Sequence, residues 1–149
     1  MLDRRTTVAL NRLFITIYRS LPMYLTYAAP WCHRGDERIE ETLRHLVADH
    51  KAICARIAEY LQEQQAPLNT GDYPMGFTDL HDLSLDYLVS RMIRCQQQDI
   101  AAIADCVQEL KAVPEARTLA EESLGAARAH LESLEQLAAT AKAAAIAQP

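Results

Sequence analysis

Residues 39–60, IEETLRHLVADHKAICARIAEY, decide the fold class of this chain. Ile39, Leu43, Leu46, His50, Ile53, Ile57 and Tyr60 recur in alternating steps of four and three, the period of one face of an α-helix. That face is the side of a helix that packs into a bundle, and His50 sits at its centre. A second stripe stands near the other end of the chain: Leu119, Ser123, Ala127, His130, Leu134, Leu137 and Ala141. Two imidazoles are thus expected to point into one core. Burying a polar ring alone costs a few kcal/mol, so each needs a hydrogen-bond partner or a metal.

Outward from these stripes the chain reads as helix almost throughout. The first helix is expected from Arg4 to Ala28, with Leu10, Phe14, Ile17, Leu21, Tyr24 and Ala28 inward and a kink where Pro22 removes a backbone donor. Pro30 and Gly35 close a turn, and Asp36 caps a second helix over Glu37 to Gln64. The connection from Gln65 to Phe77 carries Pro67, Asn69, Gly71, Asp72, Pro74 and Gly76 and has turn chemistry without a period. Thr78 or Asp79 is expected to cap a third helix running to Lys111, its stripe Val89, Ile93, Gln96, Ile100, Ile103, Val107 and Leu110. Pro114 opens a fourth, as proline at a first helical position does. The Ala-rich end, Ala138 to Pro149, is expected to fray.

Four long helices make a four-helix bundle in a single domain, residues 1–149. Twelve or so extended residues reach about 40 Å, and a helix of about 27 residues is as long. The middle connection can therefore cross the whole bundle and let the second and third helices run parallel. Half of the residues are hydrophobic and Gly is scarce, which suits helix.

A net charge of −5 argues against a nucleic-acid partner. Arg4, Arg5 and Arg12 read as a solvated face. The opening residues carry Asp3, Arg4 and Arg5, and Asn11, Arg12 and Arg19 break the apolar run after them. We expect neither a signal peptide nor a membrane span. Cys32, Cys54, Cys95 and Cys106 are too scattered for a disulfide scaffold, so the expected setting is a reducing cytoplasm. The aromatics Tyr24, Tyr27, Trp31, Tyr73, Phe77 and Tyr87 gather toward the turns and the crossing connection. They read either as packing for that connection or as the face of a homodimer.

With antiparallel pairing of the first two and of the last two helices, His50, Gln96 and His130 fall level, halfway along the bundle. Helix order, crossing connection and mid-helix histidines together resemble the ferritin-like superfamily, which includes bacterioferritins and rubrerythrins. Ala127-Arg128-Ala129-His130-Leu131-Glu132-Ser133-Leu134-Glu135 is similar to the last ligand helix of bacterioferritin. Asp49-His50-Lys51-Ala52 with Arg56-Ile57 resembles its second. The resemblance implies ferritin-like topology, with the crossover between helices two and three.

The resembled family binds two irons with Glu-x-x-His on the second and fourth helices and one glutamate on each of the others. Here the Glu-x-x-His positions read Val47-Ala48-Asp49-His50 and Ala127-Arg128-Ala129-His130. The single glutamates fall near Ile17 or Tyr18 and near Gln96 or Gln97. A di-iron centre is therefore not expected, because two divalent ions need carboxylates to offset their charge.

Two functional expectations stand. One is a binding or structural protein without cofactor or catalysis, its histidines bonded to each other, to Gln96 or to a trapped water. The other is a metal-binding or redox protein holding one transition metal ion (Fe, Zn or Cu) on His50 and His130, with Gln96 and with Cys54 or Asp99 as further donors. Cys54 stands one turn from His50 and Asp99 one turn from Gln96. His45 and His33 lie off the stripe and are expected at the surface, while His81, with Asp79 and Asp82, opens the third helix. Glu40, Glu41, Glu121 and Glu122 complement helix dipoles. No phosphate loop or Ser/His/Asp nucleophile order is present.

Overall fold

The computed structural model describes residues 1–27, 37–80 and 85–147, all of whose regular structure is helical. The turn at Pro30 and Gly35, the Asp36 cap, Trp31, Cys32, His33, His81 and Asp82 lie outside the described residues. The helices are α1 (Arg4–Tyr18), α2 (Leu21–Tyr27), α3 (Glu37–Glu63), α4 (Leu85–Glu109) and α5 (Pro114–Ala147), with a 3₁₀ turn over Met75–Leu80.

Asp3 caps α1, its carboxylate accepting the Thr6 N–H at 2.7 Å. The expected single helix to Ala28 is two. Pro22 cannot donate to the Tyr18 carbonyl and its ring crowds that oxygen, so α1 stops at Tyr18. The chain restarts at Leu21 with the proline in the first turn of α2, where a missing N–H costs little. The break leaves Ser20 between the two helices, 3 % exposed. One further expectation is corrected: Thr78 and Asp79 do not cap a long helix but lie within the 3₁₀ turn. The Ala-rich segment from Ala138 continues α5 as far as Ala147, alanine having the best intrinsic helix propensity.

Pairings fix the helix directions. Ser20 reaches His50 while Asn11 reaches Pro67, just past the end of α3, so α1 and α3 are antiparallel. Arg12 pairs with Glu109 at 2.6 Å while Ile17 and Ser20 stand by Gln96, so α1 is antiparallel to α4. Arg12 makes this contact from an exposed position, as its place on a solvated face implies. Asp49 reaches His130 and Arg56 reaches Glu122, which makes α3 antiparallel to α5. It follows that α3 and α4 point the same way, each packed against both α1 and α5. The chain between Glu63 and Leu85 makes the crossing.

That connection is fastened to α1. Asn11 donates to the Pro67 carbonyl at 2.9 Å and accepts the Asn69 N–H. Arg19 donates to the Thr70 carbonyl, with its guanidinium over the rings of Tyr18 and Tyr73. Tyr24 packs against Tyr73 and Phe77 at ring separations of 5.2 and 5.5 Å. For these three aromatics the ring contacts support the packing reading.

Gly71 turns over α1 at φ +60°, and a Cβ there would come within 3.0 Å of the Ile15 side chain. Gly71→Ala should therefore cost about 1–2 kcal/mol, from left-handed backbone strain plus crowding. A lower urea midpoint at unchanged slope would register it. An unshifted midpoint would mean that the turn can move off Ile15.

The core has two apolar ends. One holds Leu10, Leu13, Phe14, Ile57, Leu61, Ile103, Leu110 and Leu119. The other holds Leu21, Leu43, Leu46, Leu88, Met92 and Leu134. Each buried leucine or isoleucine contributes about 1.5–3 kcal/mol, so both ends are strong. The polar layer lies between them, in the sequence gaps Ile17–Leu21, Leu46–Cys54, Met92–Ile103 and Ala127–Leu134.

Candidate functional site

The two stripes bring their histidines together. His50 and His130 are each 6 % exposed, and their ring centroids stand 5.3 Å apart at an interplanar angle of 62°. Both line one small chamber of about 10 Å³, with Ser20, Gln96, Asp99 and Ser123 as further polar walls and Ile17, Ile53 and Ile103 among the apolar ones. That volume admits one water molecule or one ion.

The two imidazoles are bonded neither to each other nor to Gln96. His50 Nδ1 stands 3.2 Å from the Ser20 hydroxyl, which the Pro22 break has placed at this level. His130 Nε2 bonds to Asp49 Oδ2 at 2.8 Å, from α5 across to the rim of α3. Gln96, 3 % exposed, donates its amide to the Ala127 carbonyl at 2.9 Å. It lines the chamber without bonding a histidine.

The Asp49 contact settles the tautomer of His130 by elimination. A carboxylate oxygen accepts, so the ring proton is on Nε2, and in the neutral ring Nδ1 carries a bare lone pair. His130 Nδ1 is buried and has no hydrogen-bond partner among the described residues. An orphaned polar atom in a polar chamber calls for an occupant that the protein itself does not supply.

Burial also governs the titrating walls. It pushes the His50 imidazole down to about 4, with His130 adding to the effect and Asp49 opposing it, so the ring is neutral at pH 7. Burial pushes the Asp99 carboxyl up to about 7. Cys54 does not line the chamber. It packs with Ile57 and Ile103 in the apolar end, where burial drives its thiol to about 12 and withholds the thiolate a metal would need. Cys54, Cys95 and Cys106 are free thiols.

The acidic residues near the helix starts stay at the surface. Glu122 pairs with Arg56, Glu121 with Arg117, and Glu41 approaches the exposed His45. Among the described residues no three of His, Cys, Asp and Glu are grouped to hold a metal ion, and none of the helices is long and apolar enough to cross a membrane.

Sequence reasoning missed Ser20 and Asp49 as partners. Asp49 adjoins His50 and lies on the flank of the stripe, so a search of the inward face passes over it. Asp49 is visible only as an acid at the same level as His130. Ser20 could be found from its place two residues before Pro22. Compared with known proteins, the chain matches no family model, no curated protein and no solved structure.

Proposed function

We propose that this is a ferritin-like four-helix bundle, with α1 and α2 together as its first helix, that carries no di-iron centre. It works as a binding protein whose mid-bundle chamber takes a single atom-sized ligand. Parallel α3 and α4, joined by the crossing connection, support the topology. The observation that carries the function is the chamber itself: polar on several walls, nine-tenths enclosed side chains at its centre, and about 10 Å³ in volume.

A serine beside an imidazole has the outline of a nucleophile and base, but this chamber has no room for an acyl substrate. A di-iron centre does not fit the residues present either. Ile17, Val47, Gln96 and Ala127 stand where the resembled family has carboxylates, and Gln96 is already bonded to backbone. Two imidazoles and an amide do not offset four positive charges in a low-dielectric core.

Protein loaded anaerobically with ferrous iron and then exposed to oxygen should show no rapid oxidation phase beyond that of iron in buffer. A fast phase that disappears in His130→Ala would overturn this reading.

A further inference from the structure

We propose that the mid-bundle chamber binds one ammonium ion, held by the Asp99 carboxylate, His130 Nδ1 and the side-chain oxygens of Gln96 and Ser123. The proposal rests on the chamber reading above and names its occupant.

The walls are rich in acceptors whose own protons are committed elsewhere. His130 gives its ring proton to Asp49 at the rim, so its buried Nδ1 keeps a lone pair that no described residue uses. Ser123, 2 % exposed, donates its hydroxyl proton to the Leu119 carbonyl at 2.7 Å and has only lone pairs left to offer. Gln96 turns its amide nitrogen to the Ala127 carbonyl, and its side-chain oxygen accepts no hydrogen bond among the described residues. Asp99 is half-buried on the same chamber and makes neither a hydrogen bond nor an ion pair among the described residues. His50 takes no part, its Nδ1 standing against the Ser20 hydroxyl.

Such a set calls for a small donor with a positive charge. Water fits a space of about 10 Å³, but it brings two protons to these acceptors and no charge to the carboxylate. Ammonium is close to water in size, has four N–H donors, and carries a single charge that Asp99 offsets. Its bond to a carboxylate is of the strong, charge-assisted kind. Potassium matches in charge, yet hard cations take oxygen ligands and His130 presents a nitrogen. A transition metal lacks its donors, since no three of His, Cys, Asp and Glu are grouped for one among the described residues.

Ammonium needs Asp99 ionised, and burial lets that carboxyl keep its proton up to about pH 7. The other titratable groups at the chamber are His50 from α3 and His130 from α5, with Asp49 behind it, while α1 contributes Thr16, Ile17 and Ser20. Binding should therefore be present at pH 8 and lost at pH 5.

The test uses the full chain, dialysed free of ammonium. At pH 8 the urea midpoint should be higher in ammonium chloride than in sodium or potassium chloride of equal concentration, because a ligand of the folded state stabilises it. Methylammonium, too large for the chamber, should give no such rise. In ¹⁵N-histidine protein the His130 Nδ1 resonance should move with ammonium and saturate while Nε2 keeps its proton.

Asp99→Asn keeps the shape and removes the charge, so it should weaken binding about 10- to 100-fold. Should that variant fail to fold, Asp49→Asn frees the His130 proton to move to Nδ1 and should weaken binding too, from a side chain that is 61 % exposed and touches no ligand. Equal midpoints in ammonium and potassium would mean a chamber that holds only water, and would overturn the proposal. So would methylammonium acting as strongly as ammonium, or a His130 Nδ1 resonance that stays in place. None of these bears on ferrous oxidation, which tests the chamber reading separately.

Discussion

Asp99→Asn should stabilise the metal-free chain by about 4 kcal/mol at pH 8 and change little at pH 4. Asp99 lines the chamber, and burial lifts its carboxyl from 3.8 to about 7. The folded state therefore holds this proton more tightly than the unfolded chain does. The stability so contributed is fully present below about pH 4 and is lost as pH rises to about 7, at 1.36 kcal/mol per pH unit. Above that the folded protein carries a half-buried carboxylate, and the amide relieves it at nearly constant shape.

His50 works in the opposite direction over an overlapping range. Its folded value of about 4 lies below the ordinary 6.5, so stability is present above 6.5 and falls by about 3 kcal/mol as pH drops to about 4. The two slopes oppose each other between pH 4 and 6.5, with Asp49 and His130 the other ionisable groups facing His50. Urea unfolding with chelator present should give a nearly flat wild-type profile there, and an acid-labile one for Asp99→Asn. Parallel profiles for the two proteins from pH 4 to 8 would show that Asp99 ionises as freely as a surface acid.

Asn11→Ala should cost about 2–3 kcal/mol, and the damage should centre on the crossing connection. The Asn11 side chain is 9 % exposed and makes three bonds, to the Thr7 carbonyl, the Pro67 carbonyl and the Asn69 N–H. Truncation leaves partly buried backbone groups without partners, at about 1–3 kcal/mol for each group that water cannot reach. The Asn69 amide should be slow to exchange hydrogen in the wild type and fast in the variant. Asn11→Asp keeps the acceptor for Asn69 but sets an oxygen against the Pro67 carbonyl, so it should recover little. A variant that loses stability while Asn69 stays protected would place the effect within α1 and remove the clamp.

Periodicity made the helices and the inward faces legible because it reports which way a Cβ points. The stripe through Ile39 and Tyr60 is buried at Ile39, Leu43, Leu46, His50, Ile57 and Tyr60, and α3 ends one residue from its expected limit. The same argument brought Gln96 and both histidines to one layer. It was silent on what each polar atom bonds to, because that depends on side-chain rotamers and on residues at the rim. Asp49 is a flank residue in its own helix and a hydrogen-bond partner only to α5. The break after Tyr18 was legible in part: Pro22 announced a disturbance, but its effect falls four residues upstream, at the carbonyl its ring opposes. The 3₁₀ turn at Met75–Leu80 carries no apolar period to separate it from a helix start.

The crossing connection also orders events in time. The stretch from α1 to α3 and the hairpin of α4 and α5 are each assembled from sequence neighbours, which meet quickly. Bringing the two halves together means closing the long segment between Glu63 and Leu85, and that entropic cost precedes any contact across the halves. Ser20 and His50 belong to the first half, and Gln96, Asp99, Ser123 and His130 to the second. The chamber therefore has no existence in either half alone and comes into being only at docking. Anything gripped by both histidines bridges the halves and must be released before they can part, so it would act on the rate of unfolding rather than on the rate of folding.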